Sequence, residues 1–293
     1  MYEAHFGLSA KPFSLVPDPD LLYPSRRHRR ALALMEYGLS SGAAFAVITG
    51  EVGAGKTTLL KYFLRTIGAD VTVGLISNTH ASLGDVLDWV TSAFDLQPPA
   101  RDPATLYNHF VDFVLQQYAE GRRTMLFVDE AQNVGPAMLE KLRMLSNINA
   151  GKDLLLQIVL IGQPELLEEL NRPELRQFAQ RVSISYHLGP LDAEETAAYV
   201  LHRLAKVGGR RDIFSADALA VLHYFTGGVP RLINNLADLA LVYGFGAEAQ
   251  QIDGRQIIEV VADRQSTGLS PFLALPAPTR DETFNHILRG VAA

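Results

Sequence analysis

The stretch AFAVITGEVGAGKTT, residues 44–58, decides how the rest of the chain is read. Its first six residues are apolar or β-branched and short enough to be a buried strand. Gly50-Glu51-Val52-Gly53-Ala54-Gly55-Lys56-Thr57 then fits the spacing G-x-x-x-x-G-K-[ST] of a phosphate-binding loop. Glycines at this spacing let the backbone turn tightly and direct N–H groups at an anion. The helix that follows aims its positive end at the same anion. Lys56 is placed to reach β- and γ-phosphates, and Thr57, followed by Thr58, to offer a hydroxyl to Mg²⁺. A Gly-rich turn without function is the weaker reading, because the loop stands directly between an apolar strand and an amphipathic helix.

Downstream, Met125-Leu126-Phe127-Val128-Asp129-Glu130 is an apolar strand ending in two carboxylates. In isolation Asp-Glu reads as a solvated turn. After an apolar strand, in a chain with a phosphate loop, Asp129 is expected to hold Mg²⁺ and Glu130 to orient and polarise an attacking water. One strand, residues 71–77, separates the two motifs, an arrangement that points to nucleotide hydrolysis coupled to mechanical or switching work. The base-reading motif Asn-Lys-x-Asp of GTPases is absent from the sequence, so ATP is favoured over GTP.

Strands are expected at residues 44–49, 71–77, 124–129, 154–161 and, more weakly, 182–188, where apolar and polar residues alternate. Helical spacing fills 56–67, 83–94, 105–118, 136–148 and 164–170. Alternation of continuous apolar strands with helices predicts an α/β sandwich around a parallel sheet. From residue 189 the strands cease, and 193–206, 216–225, 230–243 and 254–263 read as four helices punctuated by Gly208-Gly209 and Gly227-Gly228. The expected division is therefore an α/β core over 1–188, a helical lid over 189–265 and a Pro-rich tail over 266–293. Within the tail, one short helix is expected over 284–291.

The 293 residues suffice for two folding units. Forty-eight per cent apolar and 20% charged residues set the chain apart from disordered and fibrous classes. The absence of cysteine excludes disulfides, Cys-ligated metals and a thiol nucleophile. No signal peptide or run of about 20 apolar residues is evident, so no membrane span is expected. The net charge of −6 argues against a globally basic nucleic-acid binder. Local basic character remains in Arg26-Arg27-His28-Arg29-Arg30 and in Lys206, Arg210 and Arg211. The eight histidines form no ligand-spaced cluster, and Trp89, at helical spacing with Val86, Leu87 and Val90, reads as core.

Four further residues carry candidate roles. Gln163, after the fourth strand, is placed to sense a γ-phosphate or the attacking water. Arg176 and Arg181, before the last strand, are placed to cross a subunit boundary. Arg231 opens a helix of the lid, where the helix dipole disfavours a cation, which favours a purpose for it.

With these residues placed, the sequence resembles the AAA+ ATPases. More narrowly it resembles the family of general secretion pathway protein A (ExeA-type) and its relatives in pilus biogenesis and exopolysaccharide export; the same branch includes ATP-dependent regulators of transposition. The stretches that carry the likeness are Phe6-Gly7-Leu8, Pro12-Phe13, Pro17-Asp18-Pro19, Tyr23, GEVGAGKTTL, FVDEAQ, LRMLSN, LLQIVLIGQPEL, YHLGPL and GGVPRLIN. The resemblance implies a P-loop fold with a five-stranded sheet ordered 5-1-4-3-2, a helical lid, ATP bound where the two subdomains meet, and oligomers that complete each site in trans. It also implies that Gln163 is the sensor-1 residue (usually Asn or Thr in the wider superfamily), that Arg181 lies in the arginine-finger region and that Arg231 is the sensor-2 arginine. The segment around Tyr23 would pack near the adenine. The secretion protein itself typically continues into a membrane span and a peptidoglycan-binding domain, whereas this sequence ends at Ala293. The shorter cytoplasmic relatives, peripheral at most to the inner membrane, are therefore the expected match.

Two functions follow as expectations. The first is an ATP-driven homo-oligomer that assembles or regulates an envelope machine for secretion, pili or polysaccharide, with a protein client. The alternative is a DNA-binding ATPase of the transposition-regulator kind. A nucleotide-gated module without turnover is disfavoured by the joint presence of Lys56, Asp129 and Glu130.

Overall fold

The computed structural model describes residues 1–77 and 84–291. The chain divides into two compact units. One comprises Arg26–Glu51 and Leu59–Leu188; the other comprises Met1–Ser25, Val52–Thr58 and Gly189–Ala293.

The first unit is built on five parallel strands: β1 (Phe45–Gly50), β2 (Val71–Ile76), β3 (Arg123–Val128), β4 (Leu156–Gly162) and β5 (Val182–Leu188). Their order across the sheet is β2-β3-β4-β1-β5, the order expected from the resemblance. The sequence pattern follows from this placement. β1 and β4 are buried at every residue, as strands with neighbours on both sides and helices on both faces require. The edge strands β2 and β5 instead mix buried with half-buried and exposed positions. In the core of this unit Phe45 packs on Phe178 with ring centroids 4.3 Å apart. Burying a side chain of this size contributes about 1.5–3 kcal/mol.

The helices of this unit are α2 (Arg26–Ser41), most of α3 (Lys56–Thr66), α4 (Val86–Ala93), α5 (Pro103–Ala119), α6 (Pro136–Leu145), α7 (Glu165–Leu170) and α8 (Arg176–Ala179). Several boundaries differ from expectation, three of them for a reason visible in the structure or at the edge of the described residues. The apolar run at 154–161 splits: Asp153–Leu154 pairs antiparallel with Asn149–Ala150 around a turn at Gly151, whose φ is 65°, so the buried strand starts two residues later. Helix α6 stops at Leu145, where the Ser146 hydroxyl donates to the Arg143 carbonyl at 2.7 Å and offers the backbone an alternative to a further turn. The helix expected over 83–94 is observed as α4, with Asp85 and Asp88 forming its capping box; Leu83 lies outside the described residues. Trp89 is buried in the sheet-unit core.

The second unit is all-helical: α1 (Tyr2–Phe6), α9 (Ala193–Lys206), α10 (Ala216–Thr226), α11 (Pro230–Gly246), α12 (Gly254–Ser266) and α13 (Arg280–Val291). Side-chain caps start three of them, Asp192 on the Glu195 N–H, Ser215 on the Ala218 N–H and Asp253 on the Gln256 N–H. The division differs from the expected one at both chain ends. Residues 1–25 cluster with the helices rather than with the sheet: Tyr2, Phe6, Leu8 and Phe13 are buried in the helical core, and Phe13 meets Phe214 edge-on at 6.0 Å. Arg203 holds this segment by donating to the carbonyls of Pro12 at 2.6 Å and Ser14 at 3.3 Å. The tail helix begins at Arg280, four residues earlier than expected, because Thr279 and Glu282 cap each other reciprocally. Phe272 and Ile287 of the tail are buried in the same helical core. Among the described residues, no helix is long and apolar enough to cross a membrane.

Candidate functional site

The residues singled out in the sequence form two groups, one in each unit. Tyr23, Val52–Thr58 and Arg231 belong to the helical unit; Gly50, Glu51, Asp129, Glu130, Gln163 and Arg181 belong to the sheet unit.

In the first group, Gly53 and Gly55 have φ of 82° and 96°, a region readily open to glycine and costly for other residues. Gly53 has a second reason to lack a side chain. A Cβ there would lie 2.4 Å from Arg231 Cβ, and the Arg231 N–H donates to the Gly53 carbonyl at 3.1 Å. Arg231, second residue of α11 after Pro230, is thereby anchored to the loop through its backbone. Lys56 is the first residue of α3 and is only 7% exposed. No acidic residue stands in that first turn. A lysine at the first position of a helix and the N-terminal N–H groups of that helix can face one bound polyphosphate together. Thr57 and Thr58 are half-buried in the same turn. These residues therefore fit a nucleotide phosphate chain.

Tyr23 is half-buried, edge-on to Tyr199 at 6.1 Å and beside His202 at 5.7 Å. Burial raises the Tyr199 phenol above its ordinary range. Burial, then the charge of Lys206, lowers the His202 imidazole.

Apart from Arg181, which precedes β5, the second group sits at the C-terminal tips of the parallel strands. Asp129 follows β3, is 6% exposed, and donates its N–H to the Ile76 carbonyl at 2.8 Å. Its carboxylate accepts from the Glu130 N–H at 3.0 Å. Glu130 has φ 53° and ψ 40°, left-handed values that cost a non-glycine residue on the order of 1–3 kcal/mol. A 3-10 turn, Ala131–Asn133, follows at once. From it the Gln132 side chain reaches back: its Nε2 donates to Glu130 Oε2 at 2.7 Å, and its Oε1 accepts from the Gln163 N–H at 2.9 Å. Gln163 Nε2 also lies 3.4 Å from Glu130 Oε2. Gln163 and Glu130 are thus brought together, and Gln132, which the sequence reading passed over, joins them. Its only signal there was its place two residues after the second carboxylate in FVDEAQ.

Arg181 is half-buried and donates through Nη1 to the hydroxyl of Ser146, at 2.9 Å, at the end of α6; Arg176 is exposed.

Against known proteins, residues 39–170 match the family described as "AAA domain". Over 254 residues, 86% of this chain, the sequence is 42% identical to General secretion pathway protein A of Aeromonas hydrophila. The chain spans 46% of that protein's length. Similar solved structures include the Aeropyrum pernix ORC2 protein in ADPNP–ADP complexes, with TM-score 0.65 and 16% identity, covering 88% of this chain and 72% of that one. Cdc6p of Pyrobaculum aerophilum has TM-score 0.63 and 12% identity, covering 94% and 85%. The Thermotoga maritima RuvB Holliday junction branch migration motor has TM-score 0.54 and 17% identity, covering 82% and 69%. At these identities the likeness concerns the fold. Residues 39–170 thus match an AAA domain, the fold is that of these solved structures, and the chain is related to General secretion pathway protein A.

Proposed function

We propose that the chain hydrolyses ATP to ADP and phosphate and couples turnover to changes in a homo-oligomer that assembles or regulates a bacterial envelope machine. The observation that carries the catalytic part is the loop between β1 and α3, with two glycines at positive φ leading into a buried Lys56. In this reading the backbone of Gly50–Thr58 cradles the phosphates and Lys56 binds the β- and γ-phosphates. Thr57 and Asp129 would hold Mg²⁺, which would supply charge neutralisation for the phosphates. Glu130 orients the attacking water and takes its proton. Gln163 responds to the γ-phosphate, and Arg231 reports nucleotide state to the helical unit, which serves as the lid. Tyr23 belongs to the adenine side. Arg181, or the exposed Arg176, completes the site of a neighbouring subunit. The relative's name supports secretion as the setting, and we place the protein in the cytoplasm or at the inner face of the inner membrane.

Glu130→Gln is the decisive variant. ATP binding should persist while turnover falls on the order of 10²- to 10⁴-fold, the usual contribution of a positioned general base. Turnover at the wild-type rate would sink the assignment.

A second reading, a DNA-stimulated ATPase, is favoured by the exposed arginines at the start of α2, Arg26, Arg27, Arg29 and Arg30, and opposed by the net charge of −6. ATPase rate and oligomer size measured with and without duplex DNA at two salt concentrations separate the two. Stimulation that fades steeply with salt selects the DNA reading, and indifference to DNA selects the envelope reading.

A further inference from the structure

The tips of β3 and β4 are joined by a side chain outside the set of residues assigned above. Gln132 makes two hydrogen bonds of opposite polarity within one carboxamide, to Glu130 Oε2 at 2.7 Å and from the Gln163 N–H at 2.9 Å. Chemistry fixes which way the amide faces. A backbone N–H only donates, so the atom opposite Gln163 is the oxygen, and the NH₂ is left for the carboxylate, which as an anion only accepts. No other orientation satisfies both partners.

The surroundings are shaped for this side chain. A Cβ on Gly162 would lie 2.9 Å from Gln132 Oε1, 3.0 Å from Leu166 Cδ2 and 3.3 Å from the Gln132 backbone nitrogen. Glycine at the end of β4 is therefore what admits the carboxamide. On the other side, Glu130 adopts its left-handed backbone immediately before the 3-10 turn that carries Gln132. The Asn133 N–H closes the turn on the Glu130 carbonyl at 3.0 Å. The two side chains thus project from one rigid turn, and their hydrogen bond restricts the carboxylate to a small range of orientations.

We infer that Gln132 is a positioning residue for ATP hydrolysis: its amide sets the orientation of the Glu130 carboxylate and ties it to the Gln163 end of β4. This rests on the reading of Glu130 as the group that activates water. A positioned carboxylate matters because a small misplacement of a base relative to its water forfeits much of the gain from proximity. The link also gives movement at the tip of β4 a direct path to the carboxylate, through one amide rather than through the sheet.

The test uses the full chain with Gln132→Met, Gln132→Glu, Glu130→Gln and the double variant Gln132→Met/Glu130→Gln. Steady-state ATP hydrolysis, binding of a fluorescent ATP analogue and thermal melting are measured on each. Met keeps length and removes both hydrogen bonds. Glu keeps an acceptor for the Gln163 N–H but sets an oxygen against the Glu130 carboxylate, so it separates the two halves of the link and remains informative should the Met variant fold poorly. The expected result is a fall in kcat of about 10- to 100-fold for both single Gln132 variants, the scale of a hydrogen bond to a charged group. KM, nucleotide affinity and melting should stay close to wild type. On the Glu130→Gln background, Gln132→Met should change the residual turnover by less than about twofold, because residues acting through one group are not additive.

Full activity of both Gln132 variants beside an inactive Glu130→Gln overturns this inference and leaves the hydrolytic reading intact. An equal loss of kcat on both backgrounds also overturns it, since Gln132 would then act by another route. An active Glu130→Gln defeats the underlying reading itself, whatever the Gln132 variants do.

Discussion

The two units of this chain are gathered in different ways. The sheet unit is nearly continuous in sequence, from Arg26 to Leu188 apart from the loop segment Val52–Thr58, and each of its interior strands announces itself as an apolar run. The helical unit is collected from three separate segments. Its core joins Phe13 to Phe214, and its polar ties join Pro12 and Ser14 to Arg203. Tyr2 adds a hydrogen bond to Asp238, which together with burial raises its phenol well above the ordinary range. Local pattern thus suffices to recognise a strand between two neighbours, whereas the partner of a short amphipathic segment is a question of tertiary packing.

The sharpest way to break this contrast is a pair of core truncations. Phe45→Ala in the sheet and Phe13→Ala in the N-terminal segment should each cost about 3–5 kcal/mol, the range for large-to-small changes at fully buried aromatics. Native-state hydrogen exchange is the readout. Phe45→Ala should raise exchange in β1, β4 and β5, and Phe13→Ala in α9 to α12. If Phe13→Ala loosened the strands and spared the helices, residues 1–25 would belong with the sheet after all.

A smaller effect is expected where the loop meets α11. Gly53→Ala introduces a Cβ 2.4 Å from that of Arg231 at a positive φ, and overpacking of this kind costs about 1–3 kcal/mol. The loss should appear as faster exchange at the start of α11 and weaker nucleotide binding. Unchanged exchange there would mean the loop and Arg231 are not packed as one body.

The smallest effect is a pH dependence confined to the helical unit. Burial lowers the imidazoles of His202 and His223, the former also through Lys206, while Asp192 partly opposes the shift at His223. The unfolded chain, with histidines near 6.5, then binds more protons than the folded one just below that pH. Stability should be complete above about pH 6.5 and decline as pH falls toward the lowered folded values. The double variant His202→Gln/His223→Gln should flatten the melting temperature of the helical unit between pH 7.5 and 5.5. An unaltered slope would show that the titration lies elsewhere.

Legibility followed the range of the interactions involved. The helix starts at Ala193, Ala216, Pro230 and Gly254 agree with the sequence reading, because the caps and glycine stops that set them act within four residues. The break at Leu154 was missed since LLLQIVLI is apolar at every position but Gln157; the hairpin with Asn149–Ala150 turns Leu154 outward, 41% exposed, while Leu155 is 5% exposed. The capping pair that starts α13, Thr279 and Glu282, was present in the sequence but hidden in a Pro-rich setting. Gln132 was overlooked for a different reason. Its partners are a carboxylate two residues away and a backbone N–H thirty-one residues away, and only the second distinguishes it from an ordinary turn glutamine.

By itself, the sequence determined the phosphate-type loop, the carboxylate pair at the strand tip and the α/β-then-helical plan, because each is written in contiguous residues whose spacing is dictated by backbone geometry. Tertiary structure alone decided that the first 25 residues and the tail helix complete the helical core, that Arg231 closes on Gly53, and that Gln132 spans Glu130 and Gln163. These depend on burial and hydrogen bonding between residues far apart in the chain, and such pairings have no local sequence period to reveal them.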